Sequence, residues 1–366
     1  MNYFLLIFIP TMFYILEEIV PTKEKIFRKI GIIFIIIMTS LRYGFGADYF
    51  TYLGAFNRIK SGVFTDAFEP GYIFLNQVIA YLGLHFNFVL LIIAIFNYVL
   101  LYLTIEENLP KYKWLAMFLY LTYFDLFFYS LSAIRQSIVM SIFLYSMKYI
   151  KGKQPIKYVL WLLFGSLFHW SALILVPFYY FYNKCSEYNF RKLFFVTVGA
   201  VLAYPFLNQF IILLRPFMNR RIEYYLFIYD AGIRSNLVAA TIMSILMLFW
   251  IFLSTKMKTD IIFDGGKVTK IGRKKITIPM TAMIVFFLLQ VMQRTHYYSI
   301  IPRLEMYFYP FYIFAIPEAI KIVKRKDREI LLFISVVFMS VFFIYKYIGV
   351  NQYASIYYET FRLIFE

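Results

Sequence analysis

Long apolar runs separated by short polar segments extend along the whole chain. A helix needs about 17 to 25 mostly apolar residues to cross a hydrocarbon core of about 30 Å. The pattern predicts ten membrane helices, at residues 3–19, 27–41, 88–105, 114–131, 132–150, 193–214, 236–253, 276–292, 304–320 and 330–345. Two further stretches, residues 71–84 and 158–182, are ambiguous by this criterion.

The composition agrees with a membrane protein. Hydrophobic residues make up 62% of the chain and aromatic residues 22%, and the mean hydropathy is +0.70, far from the values of soluble domains. The first run has no basic segment before it and ends at Glu17 and Glu18, so it predicts a membrane helix and not a cleaved signal peptide. We therefore expect an all-α polytopic protein, with residues 1–366 forming a single integral membrane domain.

The positive charge is organised for a membrane. The net charge is +17, but the basic residues form short clusters between apolar runs, as the positive-inside rule predicts. Nucleic acid is therefore not an expected partner, whereas membrane lipids are. The richest clusters lie at residues 21–29, 148–157, 256–275 and 321–329, and we place all four on the cytoplasmic side. The lone Cys185 excludes an internal disulfide.

These four clusters share one side only if the two ambiguous stretches do not each cross once. Residues 43–87 are then one outer loop that carries amphipathic helices. Residues 158–182 form a re-entrant helical hairpin with His169 at its turn, and non-helical backbone at that depth must line a cavity. The loop at residues 256–275 is cytoplasmic, and the Arg-rich loop at residues 215–235 is outer.

The predicted membrane topology separates lysine from arginine, although it was derived from the positions of the basic clusters without regard to which basic residue they contain. Of 25 basic residues on the cytoplasmic side 20 are Lys, whereas ten of the 12 on the outer side are Arg. The planar guanidinium group suits phosphate and carboxylate groups. The alternative is that outer arginines extend toward lipid headgroups.

Two carboxylates in the outer loop are candidate acids or bases. In "RYGFGADYFTYL", Arg42 ends a predicted helix, two glycines allow a bend, and Asp48 follows near the membrane boundary. The alternative is an N-cap at Asp48 with Arg42 as its ion partner. In "FEPGYIFLN", Glu69 precedes a Pro-Gly turn and a second surface helix, and the alternative there is a solvated carboxylate in a turn.

Two further motifs carry polar side chains into the apolar region. "SLSAIRQSIVMSIFLYSMKYI" places Arg135 and Gln136 about one turn inside a helix, where an arginine is costly and therefore a functional candidate, with a structural ion pair as the alternative. "LLFGSLFHWSALILVPFYY" places His169 at the predicted turn, where an imidazole can donate to an anion or transfer a proton. The alternative is a core histidine bonded to a backbone carbonyl.

Outer loops supply more candidates for binding an anion. These are Arg220, Arg221, Arg234, Arg294, His296 and Arg303. The chain has no Asp-x-Asp pair, HExxH motif, P-loop or GxSxG motif, so neither a metal nor another cofactor is expected.

The motifs "RYGFGADYFTY", "EPGYIFLN", "SAIRQSIVMSIFLYSMKYI" and "LFHWSALILVPFYY" together resemble the EpsG family of bacterial membrane proteins, which belongs with the Wzy-type polysaccharide polymerases. The resemblance is concentrated in the first 180 residues. It implies a multi-pass protein of the bacterial cytoplasmic membrane that polymerises undecaprenyl-diphosphate-linked oligosaccharides with an outward-facing site. A flippase and a chain-length regulator are further candidate partners.

The chain also resembles lipid-donor, GT-C-like glycosyltransferases, whose first outer loop carries an acidic residue at the reaction centre, a place that Asp48 matches here. The expected product is an exopolysaccharide, capsule or O-antigen. Asp48, Glu69 or His169 would accept the proton of the attacking hydroxyl. Diphosphate binding is expected of Arg42, Arg135, Gln136, Arg220, Arg221, Arg234, Arg294, His296 and Arg303. A flippase or exporter of lipid-linked sugars and a membrane acyltransferase using His169 remain alternatives.

Overall fold

The computed structural model describes residues 3–63, 68–185, 199, 213, 260–264, 267–272, 277–295, 300–322, 325–353 and 362–363. The chain divides into two compact units. The first comprises Met1–Tyr179 with Arg325–Glu366, and the second comprises Tyr180–Lys324. That the whole chain forms one membrane domain stays a prediction.

Helices account for most of the described residues. They begin with α1 Tyr3–Ile19, α2 Ile26–Ser40, the two-residue strand β1 Arg42–Tyr43, α3 Tyr49–Lys60, α4 Pro70–Tyr81, α5 Phe86–Asn108, α6 Lys113–Thr122, α7 Phe124–Ser132, α8 Ile134–Tyr145, α9 Met147–Lys151, α10 Pro155–Ser166, a 3-10 helix Trp170–Leu175 and α11 Pro177–Cys185. They continue with β2 Asp260–Asp264, β3 Lys267–Gly272, α12 Ile278–Thr295, α13 Ile300–Glu305, a 3-10 helix Tyr309–Phe311, α14 Tyr312–Ile322, α15 Arg325–Tyr353 and β4 Arg362–Leu363.

The first unit is built on α5. This helix packs against α2 and α8, while α1 packs against α2 and α6. α1 and α2 approach closely at Gly31, where a Cβ would lie only 3.3 Å from the carbonyl oxygen of Pro10. The buried aliphatic side chains of Ile35 and Ile93 belong to the apolar interior of this bundle. The strand β1 pairs antiparallel with β4.

Among the described residues, two helical segments are long and apolar enough to cross a membrane. These are Phe86–Asn108 and Asp327–Ile348. A third span results if α6 and α7 count as one, although they meet at an angle of 65°. The helix predicted over residues 114–131 is therefore wrong in one respect, because it is not continuous and breaks at Tyr123. The predicted total of about ten spans remains a prediction.

Three segments that the sequence places on the cytoplasmic side meet at one end of α5. The Glu106 carboxylate accepts hydrogen bonds from Lys25 Nζ at 2.9 Å and Lys113 Nζ at 2.7 Å, and Arg28 Nε lies 3.2 Å from its other oxygen as an ion pair. Lys151 Nζ binds the Asn108 side chain at the same end. At the other end of α5, the Asn87 amide donates to the Ser40 and Arg42 carbonyls at 2.7 and 3.2 Å. We call Glu106 together with Lys25, Arg28 and Lys113 the Glu106 cluster.

Both predicted surface helices of the segment 43–87 exist in the structure, as α3 and α4, and they pack against each other. The segment 158–182 folds back on itself, since the Tyr158 hydroxyl donates to the Leu175 carbonyl at 2.7 Å. Its returning arm is a 3-10 helix followed by α11. The position of these segments relative to a membrane stays a prediction.

The second unit contains a helical part and a β-hairpin. Gln290 Nε2 on α12 donates to the buried carboxylate of Glu305 at 2.6 Å, and Thr277 Oγ1 donates to Glu318 Oε2 at 2.6 Å. Strands β2 and β3 pair antiparallel inside the predicted cytoplasmic loop 256–275.

Candidate functional site

A buried ion pair joins two of the sequence motifs. Arg135, in the first turn of α8, donates through Nη1 to Oε2 of Glu69, the residue before α4. The side chains are only 18% and 9% exposed, so the pair is largely shielded from solvent. The other carboxylate oxygen of Glu69 lies 3.4 Å from the backbone nitrogen of Trp170. The third motif therefore reaches the same carboxylate.

The local sequence around Glu69 explains its position. Pro70 occupies the first turn of α4, and Glu69 before it is extended, as a residue before proline prefers. The Gly71 amide donates to the Leu167 carbonyl at 2.8 Å. A Cβ on Gly71 would lie 2.8 Å from that carbonyl oxygen, so only glycine permits this approach. The backbone thus fastens the Glu69 turn to the end of α10.

Three aromatic rings surround the Arg135 guanidinium. Its carbon lies 4.7 Å from the ring centre of Phe68, 5.8 Å from that of Tyr52 and 5.9 Å from that of Tyr72. Such rings stabilise a cation by about 0.5 to 2 kcal/mol each. Burial raises the pKa of Tyr52, while the nearby Arg135 charge opposes that rise, so the hydroxyl stays protonated at neutral pH. We call Tyr52, Phe68 and Tyr72 the aromatic cage.

The sequence did not single out this cage. Tyrosine and phenylalanine are so common here that the three residues look like part of an interfacial aromatic belt. One signal was present, namely the helical spacing of four residues between Asp48 and Tyr52. Phe68 and Tyr72 likewise flank Glu69 at distances of one and three residues in sequence.

Asp48 lies one helical turn before Tyr52 of the aromatic cage, and its backbone carbonyl accepts the Tyr52 amide at 3.0 Å. It stands at the N-cap position of α3, but its exposed side chain makes no capping hydrogen bond to that helix. Its charge acts on the Tyr52 hydroxyl, as do the charges of Arg135 and Glu69. An exposed carboxylate therefore shares one neighbourhood with the buried ion pair.

His169 occupies the turn between α10 and the 3-10 helix. Its Nδ1 lies 2.6 Å from Ser171 Oγ and 3.3 Å from the Ser171 backbone nitrogen, so the imidazole caps the 3-10 helix. The half-buried ring immediately precedes Trp170, whose amide approaches Glu69. The histidine is thus positioned beside the ion pair by the same turn.

Arg42 makes contacts that the sequence did not suggest. Its side chain is 3% exposed and donates to the Thr39 carbonyl and, at 3.0 Å, to the Leu131 carbonyl. The guanidinium therefore stabilises the carboxyl ends of α2 and α7, where a cation is favoured, and does not pair with Asp48. It also lines a small crevice with Asn97 and Ser130. Gln136, next to Arg135, is buried on α8.

Two of the remaining candidates belong to the second unit. Arg303 is half-buried on α13, and Arg294 belongs to α12 in the same second unit. Arg220, Arg221, Arg234 and His296 lie outside the described residues. Within the described part of the chain, no three His, Cys, Asp or Glu side chains form a group that could hold a metal ion.

An apolar helical bundle that holds a caged arginine and its carboxylate partner is typical of a membrane protein. The model of the EpsG family matches residues 25–360, and the chain therefore belongs to the EpsG family. This match confirms the resemblance in the four motifs and indicates a membrane protein of the polysaccharide polymerase type. No curated protein and no solved structure matches the chain.

Proposed function

We propose that this protein joins oligosaccharide repeat units carried on undecaprenyl diphosphate into an exopolysaccharide, capsule or O-antigen. The observation that carries the proposal is the meeting of three separate motifs at Glu69, through the Arg135 guanidinium and the Trp170 amide. Family membership supports the polymer product, and the apolar helices support the lipid-linked substrate.

The reaction transfers the growing chain from its lipid diphosphate to a hydroxyl of the incoming unit. The hydroxyl oxygen forms a bond to the anomeric carbon, and the bond from that carbon to the diphosphate oxygen breaks. The leaving diphosphate keeps the electron pair, and the hydroxyl proton passes to a base of the protein. The site must therefore stabilise a departing anion and accept one proton.

Arg135 is the group that we assign to the diphosphate. A guanidinium offers two parallel N–H donors to phosphate oxygens and needs no metal to do so. The aromatic cage holds this cation at the amino-terminal turn of α8. Arg303, Arg294, Arg220, Arg221, Arg234 and His296 stay additional candidates for the same ligand, as do Arg42 and Gln136.

Asp48 is the group that we assign to the proton of the acceptor hydroxyl. Its exposure leaves it accessible to an incoming sugar, while its charge acts on the same tyrosine as Arg135 and Glu69. Glu69 and His169 are the next candidates because both lie at the same turn of the fold.

The two ends of α5 support an outward-facing site. One end carries the Glu106 cluster, with lysines of the kind that cytoplasmic segments retain, and the other contacts the Arg42 segment. A helix of 23 residues is about 35 Å long, enough to cross a hydrocarbon core of about 30 Å. The assigned groups would then lie on the side opposite the lysines.

The test is reconstitution in vesicles with lipid-linked repeat units, followed by measurement of chain length on gels. The wild type should lengthen chains, whereas Asp48→Asn and Arg135→Ala should slow lengthening by at least about 100-fold. Translocation of the lipid-linked unit without lengthening would favour a flippase and contradict the proposal. Normal lengthening by both variants, with intact folding and insertion, would show that the site is elsewhere.

A further inference from the structure

The Glu69–Arg135 pair is incompletely bonded for a purely structural salt bridge. Glu69 receives a single guanidinium nitrogen, whereas a fully formed arginine–carboxylate pair uses two parallel donors. The Nε of Arg135 is buried and has no hydrogen-bond partner among the described residues. The Tyr52 hydroxyl is a further partner of this guanidinium, and the unmet Nε leaves one donor of a buried charge without a bond.

Arg135 has stabilising contacts that do not depend on Glu69, whereas Glu69 has few contacts besides Arg135. Arg135 sits on a helix inside the aromatic cage, which stabilises its charge whether or not a carboxylate is present. Glu69 has an extended backbone at the N-cap position of α4, its side chain makes no capping bond, and its other carboxylate oxygen has only the long 3.4 Å contact with the Trp170 nitrogen. The amino-terminal end of α4 favours a negative charge, which gives the carboxylate a second place to go.

We propose that the carboxylate of Glu69 is a displaceable counter-ion that a diphosphate group replaces on Arg135. In the unliganded protein, Glu69 neutralises the guanidinium and shields it from other anions. A diphosphate, with more charge and two sets of oxygens, takes over the guanidinium donors. Glu69 is then released beside Trp170 and His169, where its carboxylate is free to accept a proton. The inference rests on the function proposed above and describes how its site is regulated.

If a diphosphate displaces the Glu69 carboxylate, removing that negative charge should strengthen diphosphate binding and at the same time slow chain lengthening. Glu69→Gln should bind farnesyl diphosphate about tenfold more tightly than the wild type, since the ligand no longer competes with the carboxylate. The same variant should lengthen chains much more slowly. Arg135→Ala should lose diphosphate binding.

The experiment measures the dissociation constant of farnesyl diphosphate for the purified full-length protein in nanodiscs. Farnesyl monophosphate and inorganic diphosphate are parallel probes, and they separate a lipid-borne diphosphate from a free one. Glu24→Gln is the matched control, because it removes an exposed carboxylate paired with Lys29 at 3.6 Å. The control should bind as the wild type does. The double variant Glu69→Gln/Arg135→Ala shows whether the gain requires the arginine.

Tighter binding by Glu69→Gln that disappears in the double variant supports the exchange. Equal or weaker binding by Glu69→Gln overturns it, as does an equal gain in the double variant or in the control. Chain lengthening by the wild type is scored separately with lipid-linked repeat units. Failure of lengthening refutes the proposed polymerase activity, whereas failure of the affinity gain in a protein that lengthens chains refutes only the counter-ion role.

Discussion

The Gly71 amide lies 2.8 Å from the carbonyl oxygen of Leu167 and donates a hydrogen bond to it. Through this bond the first turn of α4 is fixed against the carboxyl end of α10. Glu69 lies two residues before Gly71 and His169 two residues after Leu167, so this backbone contact brings the segments of two candidate catalytic groups together.

We expect Gly71→Ala to disturb the site without changing any charge. The added Cβ would stand 2.8 Å from the Leu167 carbonyl oxygen and 2.9 Å from its Cβ, so the two segments must separate. Overpacking of this kind costs about 1 to 3 kcal/mol. The variant should melt at a lower temperature and lengthen chains more slowly. Gly54→Ala on α3 is the control, since nothing lies within 4 Å of its Cβ position, and it should leave chain lengthening unchanged without lowering the melting temperature. An active, equally stable Gly71→Ala would contradict the fixed turn.

The aromatic cage should matter for diphosphate affinity. Phe68→Leu keeps an apolar side chain but removes the ring that lies 4.7 Å from the Arg135 guanidinium. A lost cation–π contact of about 1 kcal/mol corresponds to roughly fivefold weaker binding of farnesyl diphosphate. The matched control is Phe74→Leu on α4, where the ring is 66% exposed. If both variants bind equally, the ring does not support the cation.

The Glu106 cluster should govern stability and not catalysis. Glu106→Gln leaves Lys25, Arg28 and Lys113 around an uncharged amide, and breaking a buried pair costs about 3 to 5 kcal/mol. We expect a marked fall in the free energy of unfolding, measured by denaturant titration in detergent. Glu24→Gln, whose carboxylate is largely exposed, should cost less than about 1 kcal/mol. Similar costs for the two variants would argue against the cluster.

Hydrogen bonding to Glu106 raises the pKa of Lys25 above its ordinary value. A raised folded-state pKa contributes stability below the unfolded pKa of about 10.4, and this contribution is lost as the pH rises through the folded value. The Lys25 contribution should therefore be constant between about pH 6 and 9 and disappear only at strongly alkaline pH. Thermal melting of the wild type and Lys25→Met across this range checks it. If the difference in melting temperature between the wild type and Lys25→Met disappeared near neutral pH, the stabilising role of Lys25 would be refuted.

Membrane sidedness can be measured with single cysteines after Cys185→Ser. Lys153 and Lys60 are both exposed, and the predicted membrane topology places Lys153 inside and Lys60 outside. In intact cells, a membrane-impermeant maleimide should label Lys60→Cys and leave Lys153→Cys unlabelled until the membrane is opened. Labelling of both positions in intact cells would refute the predicted membrane topology.

The candidate groups could be found from the sequence one by one, but their arrangement could not. Glu69, Arg135 and His169 each stand out as a polar residue in or beside an apolar run. Glu69 is separated from Arg135 by 66 residues and from Trp170 by 101 residues, and no local pattern records such a contact. The caging rings were missed for a similar reason, because aromatic residues are expected throughout a membrane protein.

The helix break at Tyr123 shows a second limit of prediction from the sequence. The apolar run continues through it with no proline or glycine, so hydrophobic periodicity predicts one straight helix. The helices on either side of Tyr123 meet at 65°, and beyond the bend Asp125 pairs with Lys346 at 3.0 Å, a contact that no local pattern records. The helices α3 and α4 were predictable, in contrast, because glycine and proline mark their boundaries.

The Glu106 cluster has a consequence for how the chain is made. When α1 and α2 leave the ribosome, Lys25 and Arg28 have no acidic partner on α5, which has not yet been synthesised. On the predicted topology, their full positive charge during this interval would resist translocation and favour a cytoplasmic position for the loop between α1 and α2. When Glu106 arrives, it neutralises the same side chains and locks the hairpin to the growing bundle. Lys25 and Arg28 would thus act first as an orientation signal and later as partners of Glu106 in a structural ion-pair cluster.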